Sequence, residues 1–582
     1  MTLERASGLF VGCSTFIGGT HECRKEEMAG RCICRSGRFP ITRKASLIIK
    51  NARVFTVNDS QPWAEAVGAI GDRIVFVGSD RDVASLVGPE TKVIDVGGRL
   101  VLPGLIDAHT HCLHAYRNYF WANLTPANSQ KELITILRKH ASEHPDHRLV
   151  GGAGYRYSAV MVRGRLPGRS VLDKVVSDRP VWLISYDGWT ACTNTKFIEI
   201  AQSRLGAMFD RMPGVEMDPK TGQPTGVFLK TEDLEPLVEE ISIAGTDLFH
   251  EGLKLVLDDM VRCGVTSVHD LGGRDMQDLL AFERLRESGE LKARVYLAMM
   301  YSKKPAEEQI KEFNDARLKF SNEWIRAGAV KLFIDGVEDT HTAAMLEPYD
   351  DLPTVSGETI HEPEEFKRII EVLDAKGFQC ITHACGDRGV RVALDAYENA
   401  ARKNKPRDRR HRIEHVEVVS PDDIPRFESI GVLPSMQPLH AHLSTAPFDE
   451  AYGRTIGPER LQRSFSWRSM VDSGARLAFS SDWPVADMNP FLGIHTALTR
   501  GGLVGVQNTV SLEDAINGYT MNAAYASFEE DIKGSIEVGK FADMIILSDD
   551  LFEIKPDDIA KVEPLLTIVG GKEVYRSDGF SG

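Results

Sequence analysis

At 582 residues the chain exceeds what one ordinary core can organise, so one large domain and at least one smaller one are expected. With 42% hydrophobic and 26% charged residues, its composition is that of a soluble globular protein rather than a fibrous or disordered one. Sixty-nine Lys and Arg stand against 84 Asp and Glu, and the resulting net charge of −15 argues against nucleic acid or an anionic membrane as partner.

Residues 1 to about 45 are rich in Gly, Cys and charge and carry no period, so they are expected to form an extension. Its apolar patch is broken by Cys13, Ser14 and Thr15 and preceded by Glu4 and Arg5, which makes a poor signal peptide. His21, Cys23, Cys32 and Cys34 are metal-ligand types, but their spacing matches no paired C-x-x-C pattern, and a surface-draped segment is the expectation. No apolar run reaches the ~18 residues of a membrane span. Nine cysteines in so long a chain do not make a disulfide framework, and a cytoplasmic protein with reduced thiols is expected.

From Ser46 the text changes to short Val- and Ile-rich runs, SLIIKNARVFTV, AVGAIGDRIVFVG and KVIDVGGRLVLPG, separated by Asn, Gly and Asp turns. They read as a small β-meander, and ADMIILSDD, LLTIVGG and KEVYRS resume the style at the C-terminus. Residues 46–103 and 530–582 are therefore expected to build one β-sandwich from both ends of the chain. Between them, residues 104–529 repeat a short apolar run followed by a helical stretch. The runs are GLIDAHTH, TSVHDLGG, RVYLAMMY, AVKLFIDG, QCITHACGD, HRIEHVE, VLPSMQP and RLAFSSDWP. Eight such units, with helices such as EEFKRIIEVLDAKG ending on glycine, are what a parallel (β/α)8 barrel requires. The fold class is thus α/β. The first connection, about residues 113–264, is far too long for a loop. It is expected to be a folded insertion over the barrel mouth.

In such a barrel the chemistry lies at the C-terminal strand ends. The first run ends in His109-Thr110-His111, and alternate residues of an extended chain point the same way. Lys331 lies in the fourth run, His383 ends the fifth, His415 the sixth and Asp482 the eighth. A lone histidine on a strand is usually structural, and the chain has 17. Four of them converging with a lysine and an aspartate at one barrel face point instead to a metal site. Imidazoles and a carboxylate suit a borderline divalent ion, zinc first, as one or two ions. An ammonium cannot ligate, so Lys331 would act as a CO2-derived carbamate bridging two ions, or else form a structural ion pair with a neighbour such as Asp335.

The segments PGLIDAHTH, KLFIDG…TAAML…PYDD, ITHACGDRGV, RIEHVE, FSSDWPV and SIEVGKFADMIIL resemble the amidohydrolase superfamily, in particular its YtcJ-like branch that includes N-substituted formamide deformylases. The resemblance runs from about Ser46 to the C-terminus. It implies a metal-centred barrel with a β-sandwich, hydrolysing amides or related carbons. By position it makes His109, His111, His383 and His415 ligands, Lys331 the bridging lysine, and Asp482 both ligand and proton carrier. The branch carries a histidine after Asp-Gly in the insertion; here Asp187-Gly188 is followed by Trp189, an aromatic that should reshape the substrate pocket.

The expected reaction is cleavage of a carbon–nitrogen bond other than a peptide bond, by attack of a metal-activated hydroxide on an amide or formamide carbonyl, with Asp482 as base and then acid. The rivals are a deaminase or a lactone or lactam hydrolase on the same residues, and a non-catalytic scaffold, which usually has lost ligands. Gln437, His440 and His442 after the seventh run are candidate donors to substrate. Tyr155, Tyr186 and Trp189 are candidates for an apolar substrate wall, although an aromatic in a folded insertion is more often core. The expected partner is a small-molecule substrate, without nucleic acid or membrane, and a homodimer is the assembly to test.

Overall fold

The computed structural model describes residues 43–582 apart from 187, 213, 232–233, 244–247, 444–447 and 501–504. His21, Cys23, Cys32 and Cys34 of the extension, and Asp187, therefore lie outside the described residues.

Eight strands form the centre: β1 Leu105–Thr110, β2 Val265–Gly273, β3 Arg294–Met300, β4 Ile325–Phe333, β5 Gln379–Ala384, β6 Arg412–His415, β7 Leu433–Met436 and β8 Ala478–Phe479. They pair in chain order, each parallel to the next. A parallel bridge between Thr110 and Trp483 then brings the last strand end to the first, so the sheet nearly closes into the expected barrel. Strands β1, β2, β5, β6 and β7 are buried at every residue, because helices cover one face and the barrel interior the other.

The helices follow from local chemistry. In Pro363–Ala375, Pro363 occupies the first turn, where its missing N–H costs nothing, and Glu364 and Glu365 face the positive end of the helix dipole. Phe366, Ile370 and Leu373 recur on one face and are buried there, each side chain worth about 1.5–3 kcal/mol of transfer from water. Gly377, at φ +81°, lets the chain turn back into β5.

Strands from the first and last parts of the described residues pair with one another. Met544–Leu547 pairs antiparallel with Leu100–Pro103 at the centre of a six-stranded sheet, and a four-stranded sheet carries Leu47–Lys50. One apolar cluster, including Leu47, Ile49, Val101, Ile546 and Leu566, unites residues of the two sheets. The strands do not run as a simple meander. Leu47–Lys50 takes the distant Lys92–Asp95 as its parallel neighbour, because the intervening chain alternates between sheets.

After β1 comes the folded insertion, built on a six-stranded sheet running from Val215–Met217 at one edge to Ala122–Asn123 at the other. Two apolar clusters of its own hold it together. The last helix of this stretch, Leu248–Arg262, serves the barrel instead. Its Leu253, Val256, Leu257 and Met260 join the barrel's main cluster, so it is the crossover helix between β1 and β2. Among the described residues no helix is long and apolar enough to cross a membrane, and the five cysteines are all free.

Candidate metal centre

The strand ends are tied together before any ligand is considered. Asp482 donates its backbone N–H to the His109 carbonyl at 2.9 Å, and His111 donates to the Trp483 carbonyl at 2.8 Å. Beneath them the Asp107 carboxylate accepts from the Ser481 hydroxyl and from the backbone N–H groups of Ser481 and His109. His415 and Asp482 both sit at positive φ, +74° and +60°, a conformation costing a non-glycine residue of order 1–3 kcal/mol. Such strain persists where the surrounding structure needs a side chain aimed in one direction.

His109 and His111, two residues apart on β1, approach through their Nε2 atoms at 3.3 Å. Asp482 Oδ1 lies 3.2 Å from the first and 3.1 Å from the second. His109 Nδ1 donates to Glu414 Oε2 at 2.7 Å, which leaves the Nε2 lone pair facing the cluster. Glu414 is in turn held by Arg412, which donates to Oε1 at 2.9 Å and also contacts the Ala108 carbonyl, Ser435 and His269. His415 Nδ1 donates to Gln437 Oε1 at 2.8 Å, and its ring lies 4.4 Å from that of His383. His383 Nε2 donates to the Gly336 carbonyl at 3.1 Å. Lys331, 1% exposed, donates to His109 Nε2 at 3.2 Å.

The alternative pairing of Lys331 with Asp335 does not occur. Asp335 spends its oxygens on the backbone N–H groups of Ala344, Cys385 and Gly386, and among the described residues no carboxylate comes within ion-pair range of Lys331.

Ligands bound to one tetrahedral ion at about 2.0–2.1 Å stand roughly 3.3–3.4 Å apart. The separations among His109, His111 and Asp482, 3.1–3.3 Å, fit that requirement with little movement. Three groups bring their ligand atoms within 4.8 Å of one another: His109–His111–Asp482, His415–His440–Asp482 and His383–Cys385–His415. Protonation favours ligation as well. Burial, then Lys331, pushes His109 well below the usual imidazole range, and the same two causes bring His383 to about 4. Burial and His383 depress His415. All three are therefore neutral imidazoles at pH 7. Burial also brings Lys331 down to about 8. For Asp482, burial pushes upward, but the hydrogen bond and charge of His111, with His440 and Lys331, outweigh it and hold the carboxyl below its ordinary value.

The remaining sequence candidates separate. Gln437 accepts from His415 Nδ1, while its amide donates to Ser480 Oγ at 2.9 Å. His440 donates from Nδ1 to Glu417 at 2.8 Å and lies over His415. The side chain of His442 is outside the described residues. Tyr155 is completely buried in the insertion's own cluster, with its hydroxyl donating to the Thr190 carbonyl. Trp189 is half-buried in the turn before Ala191–Thr193, and Tyr186 donates to Asp339 in the segment after β4.

Sequence reasoning passed over Arg412, Glu414, Glu417 and Cys385. For Arg412 and Glu414 a signal existed, since two opposite charges at i and i+2 on a strand meant to be buried must find partners inside. Cys385 offered none, being a residue type common in any core.

Residues 92–575 match the family described as the Amidohydrolase family. The chain is 30% identical over 550 residues to Protein LONG AFTER FAR-RED 3 of Arabidopsis thaliana, covering 91% of this chain and 92% of that protein. It is 26% identical to the putative amidohydrolase YtcJ of Bacillus subtilis, covering 90% and 98%. It is also 26% identical to the N-substituted formamide deformylase of Arthrobacter pascens, covering 93% and 100%. Among solved structures, an uncharacterized metal-dependent hydrolase from Pyrococcus furiosus superposes with a TM-score of 0.69 at 26% identity, over 87% of this chain and 99% of that one.

Proposed function

This chain belongs to the amidohydrolase family, and we propose that it hydrolyses a carbon–nitrogen bond other than a peptide bond, in an amide or formamide of small-molecule size. The observation that carries this reading is the meeting of His109 Nε2, His111 Nε2 and Asp482 Oδ1 at ligand-to-ligand distances at the barrel's strand ends. A divalent ion such as zinc, when bound there, supplies a water of pKa near ~7 and polarises the carbonyl oxygen. His109, His111, His383, His415 and Asp482 are the residues that would hold one or two such ions.

Asp482 takes the proton of the attacking water on a carboxylate oxygen and returns it to the leaving nitrogen, so that an amine departs neutral. Glu414 keeps His109 in the tautomer whose Nε2 faces inward, and Gln437 does the same service for His415. Lys331 joins the site as a carbamate: its neutral amine bonds to the carbon of CO2 and a proton leaves. Neutral imidazoles with one carboxylate leave most of the charge of two divalent ions uncompensated, which calls for a further anion. The free thiols of Cys112, Cys192, Cys263, Cys380 and Cys385 fit a cytoplasmic location.

A panel of N-formyl and N-acyl amines, read by amine release with and without chelation, tests the reaction; deamination, or opening of a lactone or lactam ring with no hydrolysis of these open-chain amides, would redirect it. Crystallographic density beyond Lys331 Nζ reaching two metal peaks is expected for the carbamate. A single peak beside an unmodified Lys331 contradicts it.

A further inference from the structure

We infer that His440 is a metal ligand, sharing a second cation position with His415 and the Oδ2 atom of Asp482, and that Glu417 positions it. This rests on the metal-dependent reading above and extends it to a residue of the segment after β7.

A buried imidazole becomes a ligand when its two ring nitrogens are given different tasks. One ring nitrogen donates to a carboxylate or carbonyl, which fixes the tautomer, and the other then presents its lone pair. His109 is built this way through Glu414, and His415 through Gln437. His440 has the same construction, with Nδ1 donating to Glu417 Oε1 at 2.8 Å. Its Nε2 lies 3.7 Å from Asp482 Oδ2, within about 0.4 Å of the spacing of two ligands on one ion.

The carboxylate of Asp482 thus faces two nitrogen groups with different oxygens. Oδ1 meets His109 and His111; Oδ2 meets His440. The rings of His415 and His440 are parallel to within 11° at 5.7 Å, and the two histidines and Asp482 offer ligand atoms that all fall within 4.8 Å of one another. All three side chains are buried, with His440 at 9% exposure.

The test uses full-length protein stripped of metal and titrated with cobalt(II), read by ions bound per chain and by the visible absorption of the bound cobalt. Wild type is expected to take up two ions. His440→Ala is expected to lose the weaker one, or bind it at least tenfold less tightly, with a changed cobalt spectrum. Glu417→Gln should keep both but weaken the second by about 10–100-fold, as loss of a ligand's orienting partner does. It also serves as the readout if His440→Ala fails to fold. Unchanged stoichiometry, affinity and spectrum in both variants would overturn the inference, and a fall in kcat/KM alone would make His440 a substrate contact. If wild type itself takes up no cobalt, the metal-dependent reading fails together with this one. Cobalt-loaded wild type beside an unaffected His440→Ala sinks only the role of His440.

Discussion

Arg412 and Lys331 are both cations buried inside the barrel, and they are surrounded in opposite ways. Arg412, on β6, meets Glu414, the Ala108 carbonyl, Ser435 Oγ and His269 within 3.0 Å, so its charge and donors are answered by the protein itself. Lys331, on β4, faces an imidazole nitrogen and the Phe333 ring, with no carboxylate in ion-pair range among the described residues. A buried charge that folding has compensated is part of the architecture. One that folding leaves facing other nitrogens is arranged for something that arrives later. The same contrast divides the network around Arg412 from the strand ends, where nitrogen and oxygen lone pairs converge at 3.1–3.3 Å.

Exchanging the two cations for methionine puts that contrast to its strongest test. Arg412→Met should destabilise the fold by about 3–5 kcal/mol, since Glu414 is left buried without its partner. Lys331→Met should leave the metal-free protein within about 1 kcal/mol of wild type, because relief of the desolvation of a buried ammonium without a direct ion pair offsets the lost attraction of Glu414 and Asp482, yet abolish hydrolysis. Urea midpoints of both variants decide this. If Lys331→Met were the less stable, the lysine would be architectural.

Asp482→Asn should come next, lowering kcat by about 10²–10⁴ while retaining more metal than His109→Ala, which loses metal and turnover together. Turnover measured alongside metal content separates the two roles, and near-normal kcat in Asp482→Asn would end the proton-carrier assignment. Glu414→Gln belongs to both regions, touching Arg412 on one side and His109 on the other. It should weaken metal affinity about 10–100-fold, visible in a chelator competition. The smallest effect is expected at Tyr155→Phe. Losing the bond to Thr190 costs about 0.5–1.5 kcal/mol of stability, and kcat/KM stays unchanged for a residue of the insertion's core. A selective fall in kcat/KM would return Tyr155 to the substrate wall.

The barrel was legible because its strands are buried and most of them read as short, largely apolar runs alternating with helical stretches, and all eight became β1 to β8. The histidines were legible because they stand at strand ends, where residue position alone gives direction. What each ring nitrogen does was not. The choice of Nε2 on His109 depends on Glu414, 305 positions away in sequence, and such pairings are set by barrel closure rather than by any local pattern. Gln437 illustrates the same limit: its place after β7 suggested a substrate contact, and its hydrogen bond with His415 could not be read from the sequence. The insertion was foreseeable as folded from its length. The allegiance of Leu248–Arg262 to the barrel was hidden because an amphipathic stripe does not say which core it faces.

The convergent nitrogens and Asp482 are proposed to hold a divalent ion on which hydrolysis depends. Elemental analysis of the purified protein before and after strong chelation, with amine release followed in the same samples, tests it most directly. One or two zinc-like ions per chain are expected, with turnover lost as they are removed and regained on their return. Substoichiometric metal together with turnover unaffected by chelation would contradict it.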